Sequence, residues 1–174
     1  MKYSGIFIIW MAALLTACGE QEIIEIDTTR VMFDGTGFEF NGPTGKRTLP
    51  FGTSRQNFEK LSEPELGRPK SVTENTECPS GSLTIAEYTD SKLDITYQDG
   101  KFVGWVSRED SDDFMSVRRN WFTQDETFVE ITNSSLDSEF AYGPEDARIS
   151  GQFKDDTPDA EVILTWAGTN CIFR

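Results

Sequence analysis

The clearest structural pattern in the chain is the ten-residue run Leu93-Asp94-Ile95-Thr96-Tyr97-Gln98-Asp99-Gly100-Lys101-Phe102. Apolar and polar side chains alternate over its first six residues, which predicts a β-strand with one buried face and one wet face. Asp99-Gly100 is a strong hairpin signal, and the returning strand is expected to continue to Val106. We therefore predict an antiparallel hairpin that carries Asp94 and Thr96 on its wet face.

Helix signals precede this hairpin. A capping pattern at Thr53 and Gln56 predicts a helix start. A second capping pattern, Ser62 with Glu65 around Pro64, predicts a corner followed by a short second helix. Each element has one apolar face that it cannot bury alone, so the helix pair should pack on the sheet. The expected contacts join Phe58, Leu61 and Leu66 to Leu93, Ile95 and Tyr97.

Strand signals dominate the rest of the chain. A parity switch in the apolar pattern across Gly35 and Gly37 predicts a bulge or a tight turn early in the domain. Because the helix signals cluster after Phe51, the fold class is predicted as α+β. We expect an antiparallel sheet with a short helix–loop–helix on one face, in a single domain over residues 30–174. Further strands are predicted at 83–88, 128–132, 149–153, 161–167 and 171–173.

The first 17 residues have the pattern of an export signal. Lys2 supplies a short positive region, and an apolar stretch of secretory-signal length follows at 6–15. The next residues, Leu15-Thr16-Ala17-Cys18, resemble the lipobox of bacterial lipoproteins. That resemblance implies that Cys18 is acylated and becomes the mature N-terminus, with residues 18–29 as a tether. Gly19 stands where Asp would favour the inner membrane, so a periplasm-facing outer-membrane lipoprotein is expected.

Two further cysteines remain once Cys18 is assigned to lipid. Cys78 and Cys171 form an even pair in a chain expected to reach an oxidising compartment. We predict a disulfide between them.

Charge restricts the classes of partner. The sequence has 16 Lys and Arg residues against 30 Asp and Glu residues, for a formal net charge of −14. Such a surface repels nucleic acid and anionic lipid headgroups, so no nucleic-acid partner and no membrane contact beyond the anchor are expected. The acidity suits a basic protein partner, and plain solubility is the other explanation.

Part of the chain resembles a known family. Gly52-Thr53-Ser54 and Leu66-Gly67-Arg68-Pro69 match a helix start and a helix end of the SmpA/OmlA (BamE) outer-membrane lipoproteins, and the hairpin quoted above follows as in that family. The resemblance covers about residues 51–106 and extends more loosely to the β-lactamase-inhibitor-protein fold. It implies a helix–loop–helix packed on an antiparallel sheet. Residues 30–108 and 114–174 are then candidate sub-repeats, the second degenerate. The ending from Trp166 to Phe173 also looks like a set of uncharacterised lipoproteins.

No catalytic signature stands out. The chain has no histidine, which removes histidine-dependent triads and histidine-ligated zinc or iron. Residues 42–48 lack the Ser/Thr and the first glycine of a P-loop and are interpreted as a hairpin turn. The acidic runs 109–113 and 155–159 could offer oxygens to calcium but lack an EF-hand pattern, so both are interpreted as solvated loops. Trp105, Trp121 and Trp166 are expected in the core rather than on a sugar-binding platform.

The sequence therefore favours a non-enzymatic lipoprotein that binds a protein or another envelope component, without cofactor or metal. Its partner surface is predicted on the wet face of the hairpin, at Asp94 and Thr96. The alternative function is an acidic inhibitor of a basic enzyme such as a lysozyme, because opposite charge speeds association. A hydrolase that uses paired carboxylates is the third interpretation.

Overall fold

A computed structural model describes residues 30–42, 45–88, 92–108 and 118–172. These residues form a three-stranded and an eight-stranded sheet, and every strand pair is antiparallel. The smaller sheet contains β1 (Arg30–Asp34), β2 (Gly37–Gly42) and β3 (Gly45–Pro50). The larger contains β4 (Ser71–Asn75), β5 (Leu83–Tyr88), β6 (Leu93–Gln98), β7 (Lys101–Arg108), β8 (Val129–Ile131), β9 (Glu139–Tyr142), β10 (Ile149–Phe153) and β11 (Val162–Gly168). The helices are α1 (Arg55–Leu66) and α2 (Arg119–Phe122), with a 3-10 turn at Glu145–Ala147.

The predicted hairpin is confirmed as β6 and β7. Gln98 pairs with Lys101 across a two-residue turn. Both turn residues have positive φ, 50° at Asp99 and 71° at Gly100. A two-residue turn of this kind matches the right-handed twist of the flanking strands, which is why Asp-Gly favours it. The early parity switch is likewise a tight turn, since Asp34 pairs with Gly37.

The eight-stranded sheet has the order β4-β5-β6-β7-β11-β10-β9-β8. Each half is a meander of four consecutive strands, and the two meanders join through β7 and β11 at the centre. Helix α1 precedes the first meander along the chain, and α2 precedes the second. The two halves therefore repeat one order of elements, a helix followed by four antiparallel strands.

The predicted helix–loop–helix is not confirmed, because α1 runs without a corner through Ser62 and Pro64. The Ser62 hydroxyl donates to the Glu59 carbonyl, 3.5 Å away, instead of capping a new helix. Pro64 lies in the last turn, where its missing N–H removes only one helical hydrogen bond. The start also differs by one residue: the Ser54 hydroxyl, not that of Thr53, accepts the capping bond from the Asn57 amide.

The first core lies between α1, the smaller sheet and strands β5 to β7. Phe58 of α1 is fully buried, and its ring centroid lies 4.5 Å from that of Phe102. Burial of Phe58 and the packing of Leu66 against this core agree with the prediction. The prediction was wrong for Leu61, which is 39% exposed and is not part of this core. The sheet side chains Leu93, Ile95 and Tyr97 are buried as predicted, together with Phe38, Phe40, Leu49, Ala86, Tyr88, Trp105, Ile149 and Ala167.

A second core, rich in phenylalanine, lies under α2. Phe122 of α2 contacts Phe140 of β9 and Phe153 of β10, with ring centroids 5.0 and 5.9 Å away. Phe140 and Phe153 stack at 4.4 Å. Gly151 gives Phe140 the room it occupies, since a Cβ atom at Gly151 would lie 2.4 Å from the Phe140 Cζ atom. This core fixes α2, a single helical turn, to the end of the larger sheet.

Candidate functional site

The predicted lipidation site, Cys18, lies outside the residues that the structure describes. Its acylation therefore stays a prediction, as do the signal segment and the tether. The acidic run 109–113 also lies outside the described residues. Over the part of the chain that is described, no helix is long and apolar enough to cross a membrane.

The predicted disulfide between Cys78 and Cys171 is present, with 4.8 Å between the two Cα atoms. It joins the loop between β4 and β5 to the end of the chain across 93 residues. The Asn75 side-chain amide donates to the Cys171 sulfur at 3.3 Å, and the Ser80 hydroxyl donates to the Asn170 carbonyl at 3.3 Å. Residues 171 and 172, the described part of the predicted strand 171–173, are not in a strand. The disulfide and the neighbouring hydrogen bonds hold this segment in place of β-sheet hydrogen bonds.

The expectation that Asp94 and Thr96 lie on a wet face was wrong, since their exposed fractions are 7% and 1%. The Thr96 hydroxyl donates to the Thr169 carbonyl at 2.5 Å, so the segment after β11 lies over this face. Asp94 is paired with Arg108, and their hydrogen bond raises the pKa of the Arg108 guanidinium. Trp166 shares the face with Asp94 through Val106 and is 1% exposed. A partner-binding role for Asp94 and Thr96 stays a prediction, but little of either is exposed to make contact.

Of the three tryptophans expected in the core, two are buried and one is exposed. Trp105 and Trp166 are buried as predicted. The prediction was wrong for Trp121, whose exposed fraction is 52%. A large exposed apolar side chain is more informative than a buried one, because burial is its default.

The Trp121 ring packs against two other aromatic rings. Its ring centroid lies 5.0 Å from that of Phe122 at an interplanar angle of 89°, and 6.0 Å from that of Tyr142 at the end of β9. The Gly143 amide donates to the Thr127 hydroxyl at 3.1 Å, which fastens the end of β9 to the loop after α2. One face of Trp121 is thus supported by packed residues while half of its surface meets solvent.

Four exposed carboxylates follow the elements that carry Trp121 and Tyr142. Asp125 and Glu126 follow α2, and Glu145 and Asp146 lie in the 3-10 turn after Tyr142; all four are exposed. These carboxylates, Trp121 and Tyr142 are called the Trp121 surface below.

Two hydrogen bonds favour the ionised form of the Asp125 carboxylate. Its carboxylate accepts hydrogen bonds from the Thr127 hydroxyl at 2.7 Å and from the Thr127 amide at 2.8 Å. These two bonds, the hydroxyl first, lower the pKa of Asp125 because they favour the charged form. Partial burial, and then the charge of Asp125, raises the pKa of Tyr142, so that this phenol stays neutral.

Two arginines at the start of α2, Arg118 and Arg119, are already paired. Arg118 donates to the Glu161 carboxylate and to the Asp159 carbonyl, each at 2.9 Å. Arg119 donates to the Glu130 carboxylate and the Asp155 carbonyl, each at 3.0 Å. Between these arginines and Arg148, residues 120–147 contain seven Asp and Glu residues and no Lys or Arg. The charge of this region is therefore uncompensated within its own sequence.

A polar pocket of about 240 Å³ is lined by Arg119 of α2 together with residues in the range 130–139, Phe153 and Asp156. Arg119 spans it, with its guanidinium 4.6 Å from the Phe153 ring centroid and 3.4 Å from the Asp156 carboxylate. Two of its carboxylates, Glu130 and Asp156, pair with this arginine, and no set of three or more metal-ligating side chains was found among the described residues. The run 155–159 beside it is an exposed loop as predicted, in which Asp155 accepts hydrogen bonds from Thr157. These bonds suit a structural turn.

The described residues of the range 42–48, which lacks the full P-loop pattern, belong to the β2–β3 hairpin, in which Gly42 pairs with Gly45.

Comparison of the whole chain with known proteins found no matching family model, no significantly similar curated sequence and no significantly similar solved structure.

Proposed function

We propose that this chain is a non-catalytic lipoprotein of the bacterial outer membrane, facing the periplasm, that binds a basic protein partner. The lipobox ending at Cys18 supports the anchor. Dual or triple acylation is needed for stable attachment, because one acyl chain binds only marginally. The partner is a protein, and no cofactor or nucleic acid takes part.

The partner's chemistry is inferred from the acidity of residues 120–147, which contain seven Asp and Glu residues and no Lys or Arg, with Glu130 paired to Arg119 from outside this range. Asp125, Glu126, Glu145 and Asp146 of this range are exposed, so their charge is available to a partner. Opposite charge steers a basic protein to such a surface and raises the association rate at low salt.

The sequence resemblance of residues 51–106 to the SmpA/OmlA lipoproteins, and more loosely to the β-lactamase-inhibitor-protein type, supports the same proposal. The finer fold that we propose is a degenerate tandem repeat with units at residues 30–108 and 114–174. The repeated order of a helix followed by four antiparallel strands supports it.

A second candidate function is inhibition of a basic enzyme such as a lysozyme, which the same acidity favours. It predicts that the purified chain lowers lysozyme turnover at low salt and loses this effect at high salt. Binding without any change in turnover would favour the first candidate.

Carbodiimide crosslinking in native membranes tests the proposal, because this reagent joins carboxylates to lysine amines. We expect a discrete crosslinked product whose partner, identified by mass spectrometry, is basic, and whose yield falls when 0.5 M salt is added first, because salt screens exposed charges. An acidic partner, or a yield that salt leaves unchanged, would contradict it.

Lipidation at Cys18 is tested separately. Intact mass of the native protein should show lipid on Cys18, and Cys18→Ser should release the chain from the membrane. A mature chain that begins elsewhere would end the proposed localisation.

A further inference from the structure

We infer that the Trp121 surface is the contact site for a basic protein, with a lysine or arginine of the partner placed on the exposed indole. This inference rests on the proposed function and adds the location and the mode of recognition. It assigns to α2 and the end of β9 a role that the sequence alone did not suggest.

The first argument is the unusual exposure of Trp121. Among the described residues the exposed large hydrophobic side chains are Leu61, Val72, Trp121 and Val129, and Trp121 is the aromatic member of this set. Its 52% exposure leaves apolar area in water that a partner could bury. Tryptophan is enriched among residues whose truncation weakens protein–protein binding most.

The second argument is preorganisation. Phe122 is fully buried and packs against the Trp121 ring, as does the partly buried Tyr142. The backing phenylalanines Phe140 and Phe153 are also buried. An indole fixed in this way loses little conformational freedom on binding, so more of the contact energy appears as affinity.

The third argument is charge complementarity. A cation over the face of tryptophan is attracted by the ring, most strongly when water is excluded. The four carboxylates of the Trp121 surface add to this attraction, and Arg118 and Arg119 are engaged with Glu161 and Glu130. A partner side chain would therefore find an aromatic face and negative charge at the Trp121 surface.

The same features disfavour other occupants. A second copy of the chain would bring its own net charge of −14 to the interface, which opposes self-association. A sugar could stack on the indole, but the surrounding carboxylates would add nothing for a neutral glycan and would repel an anionic one. Both occupants are outcomes of the test below.

The first experiment places photoreactive benzoylphenylalanine at position 121 of the full chain in its native membrane. Position 61 serves as the control, since Leu61 is also exposed but lies on α1. We expect position 121 to crosslink to a protein that is basic and that is also the carbodiimide product, and position 61 to give little of it. Crosslinking of that protein from position 61 but not 121 would overturn the inference, as would a second copy of the chain or a glycan at position 121.

The second experiment measures affinity for the identified partner. Trp121→Ala should weaken binding at least about tenfold, as truncation of a central aromatic contact does. Asp125→Asn should weaken it a few-fold, mainly through a slower association rate. Leu61→Ala is the matched control and should bind like the wild type.

The outcomes separate the two proposals. If the wild type binds a basic partner and Trp121→Ala binds it equally well, the inference about the Trp121 surface is wrong and the proposed function stands. If the wild type yields no basic partner, the proposed function itself fails. Thermal unfolding of each variant checks that a loss of binding is not a loss of fold, and Trp121→Phe, which keeps an aromatic ring, should retain more affinity than Trp121→Ala.

Discussion

Phe58→Ala should destabilise the chain by about 3–5 kcal/mol, the usual cost of truncating a buried phenylalanine. Phe58 is fully buried and has ring contacts with Phe38 at 5.9 Å, Tyr97 at 6.0 Å and Phe102 at 4.5 Å. Lost transfer free energy accounts for about 1.5–3 kcal/mol. The cavity and the lost aromatic geometry supply the rest. In a domain of this size the loss corresponds to a fall in Tm of roughly 6–20 °C.

The assay is urea unfolding of the oxidised protein, followed by tryptophan fluorescence. Leu61→Ala is the control in the same helix, and it should cost about 1 kcal/mol or less because Leu61 is 39% exposed. If Phe58→Ala costs no more than Leu61→Ala, then α1 does not join the smaller sheet to the larger one as described, and the account of the first core is wrong.

Three further predictions concern the disulfide, the second core and acid stability. Replacing Cys78 and Cys171 by serine should cost about 4–5 kcal/mol in the chain-entropy model, measured by urea unfolding; free thiols in the unreduced wild type would contradict the bond. Gly151→Val should cost at least about 1–3 kcal/mol, because its Cβ would collide with a phenylalanine ring on the neighbouring strand; an unchanged Tm would refute that packing. Thr127→Val should raise the pKa of Asp125 toward its ordinary 3.8, followed by NMR titration. Since the pKa is lowered in the folded state, the part of the stability difference that comes from Asp125 should exist above about pH 4 and be lost as pH falls through the folded pKa, leaving only the pH-independent effect of the lost Gly143 hydrogen bond; a difference that does not change with pH would contradict this.

The elements with strong local signals could be predicted from the sequence. The β6–β7 hairpin follows from strict alternation and an Asp-Gly turn, and β5 from its apolar pattern. The start of α1 was placed within one residue by its capping pattern. The predicted corner at Pro64 was wrong. A proline near a helix end does not stop the helix when tertiary contacts, here the packing of Leu66 on the first core, stabilise the last turn.

Two strands and one helix carried too little local signal. Strand β4 has one apolar residue, Val72, and exists through its pairing with β5. Strand β9 has four residues and follows Ser138, whose φ of 56° no pattern announces. Helix α2 is a single turn without a side-chain cap, fixed by the burial of Phe122. Such elements depend on contacts between distant parts of the chain, and the secondary-structure propensities of single residues carry no information about those contacts.

The candidate site was missed for the same reason. Alternation correctly placed Asp94 and Thr96 opposite the first core, but the segment that follows β11 lies over them. Trp121 was expected in the core because tryptophan is usually highly buried. The absence of Lys and Arg from residues 120–147, visible in the sequence, was the one available signal for an acidic surface around it.

The most direct test of the central claim is the salt dependence of the association rate between the full chain and its crosslinked partner. If a basic protein is steered to the acidic surface, the rate constant should fall by about tenfold or more between low and physiological salt, while dissociation changes less. Neutralising Asp125, Glu126, Glu145 and Asp146 together should flatten this dependence. An association rate that salt leaves unchanged, in the wild type, would contradict recognition of a basic partner by this surface.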